Sequence, residues 1–246
     1  MNSRKLVSFD YAMKYILRQK DNFDILEGFL TDLLGVDVTI IEILESESNK
    51  IDELNKGNRV DLIIKDSKGQ RMIIEIQYAK EQDYLERIIG GTSKIIVDNL
   101  DQGKPYKDIV KVISISILHF NIGEGDDYIF KGTISFNGLQ KKDAVLKYKV
   151  DKFPEYYLIR TKKFDDIVKA PIDEWIYMFK NDEFRENATA KNIDKAKEKL
   201  ALLKMSKEER KKYELFIKEQ TINKSILESA ITEGIEIGLK EGEKKG

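Results

Sequence analysis

The residues with the clearest chemical potential are two carboxylates, Asp61 and Glu75, on neighbouring β-rich segments of the chain. These segments, 60–65 and 71–78, are joined by a short turn that contains Gly69, and this pattern predicts a β-hairpin. With the glycine at the left-handed position of a three-residue loop, counting back along both strands pairs Asp61 with Glu75. Their Cβ atoms would then lie about 5 Å apart on one face of the hairpin.

Such a pair would be electrostatically unfavourable in its surroundings. Glu75 stands in the run Met-Ile-Ile-Glu-Ile, and Asp61 stands between a valine and a leucine. Two close carboxylates among apolar neighbours require a compensating cation, or one of them must stay protonated. A divalent metal ion would remove the conflict and would add a Lewis acid that can activate water. The alternative is that this face is solvated and that both acids are ordinary surface residues.

The amino-acid composition excludes several other kinds of site. The chain of 246 residues has no cysteine and one histidine, His119. Disulfides, thiolate zinc sites, cysteine nucleophiles and histidine-rich metal sites are therefore excluded. Catalysis would have to rest mainly on carboxylates, lysines and a hard cation such as Mg²⁺, which prefers oxygen ligands.

The charge and hydrophobic balance indicates a folded protein without a general attraction to nucleic acid. The 43 Lys and Arg residues nearly cancel the 44 Asp and Glu residues, so there is no global basic field. Hydrophobic residues make up 41% of the chain, which is enough for a core. No segment reaches the roughly 20 apolar residues of a membrane span, and the N-terminus lacks a signal-peptide core. We therefore expect a cytoplasmic, reduced protein with no membrane partner.

Hydrophobic periodicity predicts the elements that must position these residues. In chain order they are a helical segment over 9–34 with a break at 18–22, a strand over 36–44, the hairpin, a helix over 83–100, a central buried strand over 110–120, and more exposed strands over 128–136, 144–150 and 156–160. From Pro171 onward the pattern is helical. Ser206 and Glu209 have the spacing of a capping box and start a helix directed towards Lys240.

The C-terminal region has the composition of an exposed appendage. Residues 181–246 carry 15 basic and 14 acidic side chains with weak apolar spacing, which is typical of an exposed helical or coiled segment. Glycines recur every four residues at positions 234, 238 and 242. Each lowers helix stability by roughly 1 kcal/mol relative to alanine, so the end of the chain is either frayed or packed closely against another surface.

The order of these motifs resembles a known family of nucleases. Asp61, the hairpin and the run Glu75-Ile76-Gln77 resemble the D-(x)n-(D/E)-x-K core of the PD-(D/E)XK nuclease superfamily. More narrowly, the chain resembles the Rpn family, the recombination-promoting nucleases that are also described as PD-(D/E)XK transposases. The similarity is strong over residues 9–120 and looser beyond. It includes the opening helical segment, the aromatic and arginine residues Tyr84 and Arg87 of the helix after the hairpin, and the turn before the central strand.

This resemblance implies both a fold and a function. The fold would be an α/β (α+β) one, with a restriction-endonuclease-like mixed central sheet and flanking helices. A nuclease-like domain would span residues 1–180, and a helical, charged appendage would span 181–246. The function would be that of a DNA endonuclease that uses Mg²⁺ or Mn²⁺ to hydrolyse phosphodiester bonds. Two alternatives remain: a catalytically inactive fold that binds DNA or protein, and a structural protein that forms a homo-oligomer through its C-terminal helices.

The resemblance also implies roles for individual residues. Asp61 and Glu75 would bind the metal ion, with the Ile76 carbonyl as a further ligand. Gln77 occupies the position of the lysine that orients or deprotonates the attacking water in the superfamily. Glutamine supplies neither a general base nor a positive charge, but it can hold a water molecule or orient a phosphate. Lys14 or Lys50 is then the candidate for the missing cation.

Tyr84 and Arg87 are three residues apart and therefore share one face of the predicted helix. Arginine's forked geometry suits a role in holding the scissile phosphate. The alternative for Arg87 is a surface ion pair with Asp83, four residues earlier.

Four other features have weaker signals. Glu27 resembles an accessory acid of the superfamily, although an exposed helix glutamate is the simpler interpretation. His119 closes an apolar strand and is interpreted as structural, and Trp175 as a core anchor rather than a stacking platform. Residues 141–169 are locally basic, with nine Lys or Arg against five Asp or Glu, and could face a DNA backbone.

Overall fold

The structure is a computed structural model that describes residues 6–44, 62–100, 105–149, 151–201 and 205–243. Its contacts divide the chain into two compact units, residues 1–200 and 201–246. The helices of the first unit are α1 (Phe9–Tyr11, which continues as a π-helical segment, Ala12–Ile16), α2 (Phe23–Leu34), α3 (Tyr84–Asp98), α4 (Pro171–Asn181) and α5 (Ile193–Lys199), and the second unit contains α6 (Lys207–Glu243).

A six-stranded mixed sheet forms the centre of the first unit. Its strands are β1 (Ile40–Leu44), β2 (Leu62–Asp66), β3 (Arg71–Gln77), β4 (Val112–Leu118), β5 (Ile129–Gly132) and β6 (Glu155–Arg160). They lie in the order β1-β2-β3-β4-β6-β5, in which β4 is parallel to both β3 and β6 and the other pairs are antiparallel. The expected mixed central sheet with flanking helices is therefore confirmed.

Strand β4 is the central strand that its sequence predicts. All seven residues of the run Val-Ile-Ser-Ile-Ser-Ile-Leu are buried. A strand that pairs on both edges and is covered on both faces needs apolar or small side chains throughout, and the two serines meet that need as well as the isoleucines do.

The hairpin of β2 and β3 has the predicted register over the residues that the structure describes. Lys65 lies opposite Arg71, and Leu62 lies opposite Ile74. Gly69 has a φ of 78°, the left-handed conformation that a three-residue loop requires. Asp66 fixes this loop, since its carboxylate accepts hydrogen bonds from the backbone N–H groups of Lys68 and Gln70 at 3.0 and 2.8 Å.

Helix α3 covers one face of the sheet beside the hairpin. One apolar cluster joins Ile95 of this helix to Ile73 of β3 and Val112 of β4, and a second joins its Tyr84 and Ile88 to the end of β4. The helix therefore lies directly over the face of β3 on which residues 73, 75 and 77 project.

A second core joins the N-terminal helices to α4. Phe29 packs edge-on against Trp175 and Phe179, with ring centroids 6.1 and 5.1 Å apart. Trp175 is fully buried, and its indole N–H donates to Asp32 at 3.0 Å. The interpretation of Trp175 as a core anchor is confirmed.

Residues 181–200, which the sequence assigned to the appendage, pack within the first unit. The backbone N–H of Val7 donates to the carbonyl of Leu200 at 3.0 Å, and Ala196 and Leu200 are fully buried. The carboxylate of Glu174 also accepts two backbone N–H groups of this segment, from Thr189 and Ala190. The boundary between the units accordingly lies at residue 200.

The predicted strand over 144–150 is wrong for the part that the structure describes. Residues 133–149 form an exposed arm without a strand ladder, in which an isolated bridge pairs Asn137 with Val145 and the Tyr148 hydroxyl donates to the Ile134 carbonyl at 3.2 Å. The alternating pattern of the segment resembles that of a strand, but its turns fold it back on itself. Strand β5 likewise ends at Gly132 instead of residue 136.

The second unit consists mainly of the long helix α6. Ser206 and Glu209 form the predicted capping box: Glu209 accepts the Ser206 N–H at 2.8 Å, and Ser206 accepts the Glu209 N–H at 3.2 Å. Within the described part of the chain, nothing lies within 4 Å of where a Cβ would stand on Gly234 or Gly238. None of the described helices is long and apolar enough to cross a membrane.

Candidate active site

Glu75 is a buried carboxylate on β3, beneath helix α3. Only 4% of its surface is exposed, and in the parallel register it lies beside Ser116 of β4, which is fully buried. For Glu75, the alternative of an ordinary surface acid is therefore wrong. A buried carboxylate needs compensation by charge or hydrogen bonds, and α3 provides both.

Arg87 and Tyr84 of α3 both contact the carboxylate of Glu75. The guanidinium Nη2 of Arg87 lies 3.2 Å from Glu75 Oε2, and the Tyr84 hydroxyl donates to the same oxygen at 3.5 Å. The guanidinium also lies over the Tyr84 ring, 4.9 Å from its centroid. The cation that the apolar surroundings of Glu75 demand is thus an arginine of this chain.

Glu81, in the loop between β3 and α3, connects this arginine to Gln77. Its Oε2 lies 2.9 Å from Arg87 Nε, and its Oε1 accepts a hydrogen bond of 2.6 Å from Gln77 Nε2. The surface ion pair of Arg87 with Asp83 is therefore not the one formed. Sequence reasoning missed Glu81 because it stands in a short polar loop with no periodic pattern.

The phenol of Tyr84 remains protonated in this environment. Its burial, and then the negative charge of Glu75, raise its pKa well above the ordinary value. The hydroxyl can therefore donate a hydrogen bond to a carboxylate at any physiological pH, but it cannot act as a base.

His119 lies just beyond β4 at the same end of the sheet. Burial, followed by the charge of Lys162, lowers its pKa to about 4, so the ring is neutral near pH 7. The imidazole stacks on the Tyr78 ring with centroids 4.3 Å apart, and its Nδ1 lies 3.4 Å from the Thr161 hydroxyl. These contacts agree with a structural role.

Of the remaining predicted residues, the structure describes Ile76, Glu27 and Lys14 but not Asp61 and Lys50. Ile76 is buried on β3, and Glu27 is a half-buried acid that accepts the N–H of Ile40, the first residue of β1, at 2.7 Å. Glu27 therefore stabilises the start of the sheet and is not an exposed helix residue. Lys14 lies in the π-helical segment, while Asp61 and Lys50 lie outside the described residues. Among the residues that the structure does describe, there is no group of three acidic or histidine side chains that could hold a metal ion.

This mixed sheet, with an E-x-Q run on the second strand of its hairpin, is an α/β architecture consistent with a nuclease-like fold. A family model described as PD-(D/E)XK nuclease family transposase matches residues 7–230, and the chain belongs to that family. The match covers the first unit from α1 onward and most of α6, so the expected family is confirmed. No match was found among curated proteins or among solved structures.

Proposed function

We propose that the chain is a metal-dependent endonuclease that hydrolyses phosphodiester bonds in DNA. Membership of the family supports a nuclease- or transposase-like function. The observation that carries the finer proposal is the register of the hairpin, in which Leu62 lies opposite Ile74. We propose that this register continues by one residue, which would place Asp61 opposite Glu75, the two carboxylates of the proposed site.

The donor atoms of the proposed site suit Mg²⁺ or Mn²⁺. Asp61 and Glu75 would provide carboxylate oxygens and Ile76 a carbonyl oxygen, and hard divalent cations prefer such ligands. When bound, the ion would lower the pKa of a coordinated water and polarise a phosphoryl oxygen. The residues themselves would hold the ion and orient the water, the latter through Gln77.

Two residues of α3 would prepare the site for its substrate. Arg87 neutralises the buried Glu75 and, because its side chain retains 15% exposure, its guanidinium could also face an incoming phosphate. Tyr84 would hold the carboxylate in position as a hydrogen-bond donor. We include Lys14 as the source of a further positive charge towards the DNA.

The alternative function is that of a nuclease-like fold that binds DNA or protein without cleaving it. One observation favours it: Arg87 already compensates the charge of Glu75, so the buried carboxylate does not by itself demand a metal ion. Gln77, in place of a lysine, is consistent with this alternative as well.

Nicking of supercoiled plasmid separates the two functions. The wild-type chain should convert supercoiled to open-circular DNA with Mg²⁺ or Mn²⁺, and excess EDTA should prevent it. Asp61→Ala and Glu75→Gln should abolish nicking, whereas Glu86→Gln, an exposed glutamate of α3, should retain it. Undiminished cleavage by Asp61→Ala would rule out the proposed site.

Contact with DNA would come from a local basic surface. The lysines at positions 141, 142, 147 and 149 on the arm 133–149 are all exposed. Because neutralised phosphates release counterions, substitution of these lysines by glutamine should weaken binding to DNA of any sequence and reduce its dependence on salt.

Helix α6 is the proposed contact for a second copy of the chain. It exposes a series of large apolar side chains: Leu215, Ile222, Ile226, Ile231, Ile235, Ile237 and Leu239. Removal of the chain from residue 206 onward should convert an oligomer into a monomer, as measured by light scattering. Light scattering gives the number of chains per particle as the ratio of particle mass to chain mass. If this number were the same before and after truncation, the proposal would be contradicted.

A further inference from the structure

The exposed arm 133–149 has a defined shape, because backbone hydrogen bonds join its two sides. The Leu146 N–H donates to the Phe136 carbonyl at 2.9 Å, and the Gly138 N–H donates to the Ala144 carbonyl at 2.8 Å. Nearly every residue of the arm is nevertheless exposed to solvent. The arm is therefore a narrow ribbon that folds back on itself, and the protein core does not determine its shape.

An aromatic cluster fixes the base of the arm. Phe153, in the segment just before β6, lies 5.4 Å from the Phe136 ring and 5.6 Å from the Tyr148 ring, measured between centroids. Such pairs of tilted rings stabilise a surface element beyond the area that they bury. The apolar side chains Phe136 and Tyr148 thus have a structural role at the base of the arm.

The tip of the arm is a tight turn with a leucine on its outside. A Cβ on Gly138 would lie 2.5 Å from the Lys141 carbonyl oxygen, so the turn leaves no room for a larger residue there. The next residue, Leu139, exposes 93% of its surface, the largest fraction among the large apolar residues that the structure describes. A leucine in this position adds nothing to a core, but it is well placed to enter a ligand.

The charge of the arm indicates which kind of ligand this is. The arm carries one acidic residue, Asp143, and four exposed lysines, at positions 141, 142, 147 and 149. The chain as a whole has a formal net charge of -1. A second copy would present the same basic arm and repel it, whereas a polyanion such as DNA would attract it.

We propose that the arm enters the minor groove of duplex DNA and inserts Leu139 between two base pairs, while Lys141 and Lys142 contact the flanking phosphates. Apolar wedges on basic elements partly unstack a base step and kink the duplex by about 20–90°. This inference rests on the proposed function and adds a substrate class to it. The preferred substrate is duplex DNA with a step that unstacks easily, such as TA.

The position of the arm in the sheet is compatible with one duplex reaching both the arm and the proposed site. Gly132, where the arm begins, lies on β5, three strands from Glu75 on β3. At ordinary strand spacing this is about 14 Å. A helical turn of DNA is longer, about 34 Å. A kink at Leu139 would therefore occur within one turn of the bond to be cleaved.

The test is the fluorescence of 2-aminopurine, which stacking quenches, at the central TA step of a duplex of about 30 base pairs. EDTA is present to prevent cleavage, since the contacts of the arm require no metal ion. At saturating protein the wild-type chain should raise the fluorescence about twofold by unstacking the step. L139A should bind the duplex but lose most of this rise. L139M, which keeps a wedge, should retain it, as should V97A, which alters an exposed apolar residue of α3.

The lysines should show a different defect. K141Q/K142Q should lower the slope of log affinity against log salt concentration by about 2, because two phosphate contacts are lost. At saturating protein the same variant should still raise the fluorescence, since Leu139 is unchanged. This contrast separates contacts that attract the duplex from the side chain that unstacks it.

The remaining outcomes distinguish failure of this inference from failure of the proposed function. An undiminished rise with L139A, or no rise with a wild-type chain that nicks plasmid, would overturn the wedge and leave the nuclease standing. If the wild type neither bound the duplex nor nicked plasmid, both proposals would be overturned. Fewer chains per particle in L139A, with unchanged fluorescence, would assign the tip to contact between copies and would also overturn the wedge. Urea unfolding of L139A should coincide with that of the wild type, because the side chain is exposed.

Discussion

Two clusters of charged side chains lie at opposite ends of the parallel strands, and their charges are balanced differently. At the start of β4 and β6, Lys111 contacts Asp151 and Glu155, each at 2.6 Å, and Lys131 contacts Glu155 at 3.0 Å. Two bases thus meet two acids. We refer to these four residues as the balanced cluster.

The cluster at the other end of the sheet has an excess of acid. Glu75 and Glu81 share the single guanidinium of Arg87, and Gln77 contributes no charge. Summed over the described residues Glu75, Glu81 and Arg87, with both acids ionised, the charge is one net negative charge, and the proposed position of Asp61 would add a second. An ion-pair network that neutralises itself serves stability, whereas one that leaves negative charge beside a buried carboxylate favours a cation.

The largest expected effect follows from removal of Arg87, the cation that contacts Glu75 within the described part of the chain. Arg87→Ala leaves a buried carboxylate without its ion pair, and such changes cost about 3–5 kcal/mol. Urea unfolding at pH 7 should show this loss in the free energy of unfolding. The exposed Arg185→Ala should stay within about 0.5 kcal/mol of wild type. A comparably small loss for Arg87→Ala would show that water or another group replaces the arginine.

The next effect concerns the response of the two clusters to a divalent ion. At 100 times its dissociation constant, Mn²⁺ should raise the free energy of unfolding of the wild type by about 2.7 kcal/mol. Glu75→Gln should lose this stabilisation, and Glu155→Gln, a glutamate of the balanced cluster, should keep it. Thermal unfolding with Mn²⁺ or EDTA measures both. Equal stabilisation of the two variants would place the ion elsewhere.

The parts of the site that are local in sequence could be predicted. Gly69 fixes the three-residue loop, and a loop of known length fixes the register of both strands, so the opposition of Leu62 and Ile74 follows from the sequence alone. The burial of Glu75 also agrees with a local feature of the sequence, namely the apolar residues on both sides of it in β3.

The contacts that depend on packing could not be predicted. Glu75 and Arg87 are twelve residues apart and meet only because α3 folds back over β3, while the sequence drew attention to Asp83, which is local to the helix. Glu81 contacts two partners from a loop whose path no periodic pattern specifies. The segment 144–150 had alternating residues typical of a strand, but its described part lacks a neighbouring strand to pair with.

The smallest expected effect is on the balanced cluster. Lys111→Met should cost about 1 kcal/mol at pH 7, because Asp151 is well exposed to water and Glu155 keeps Lys131 as a partner. Hydrogen bonds from Lys111 lower the pKa of Asp151, and those from Lys111 and Lys131 lower the pKa of Glu155 despite its burial. Carboxylates with lowered pKa stabilise the fold above their unfolded values of about 4, and that stability is lost as the pH falls through their folded values.

The pH dependence of Lys111→Met therefore has a definite sign. Between pH 5 and pH 3 the variant should lose less stability than the wild type, because one source of the lowered pKa values is gone. Urea unfolding at pH 7, 5 and 3 measures the difference, with Lys94→Met, whose partner Asp98 is exposed, as the matched control. Lys111→Met could instead destabilise the chain at pH 7 as much as Arg87→Ala. The two clusters would then depend equally on their basic residues, and an excess of acid would no longer distinguish the proposed metal site.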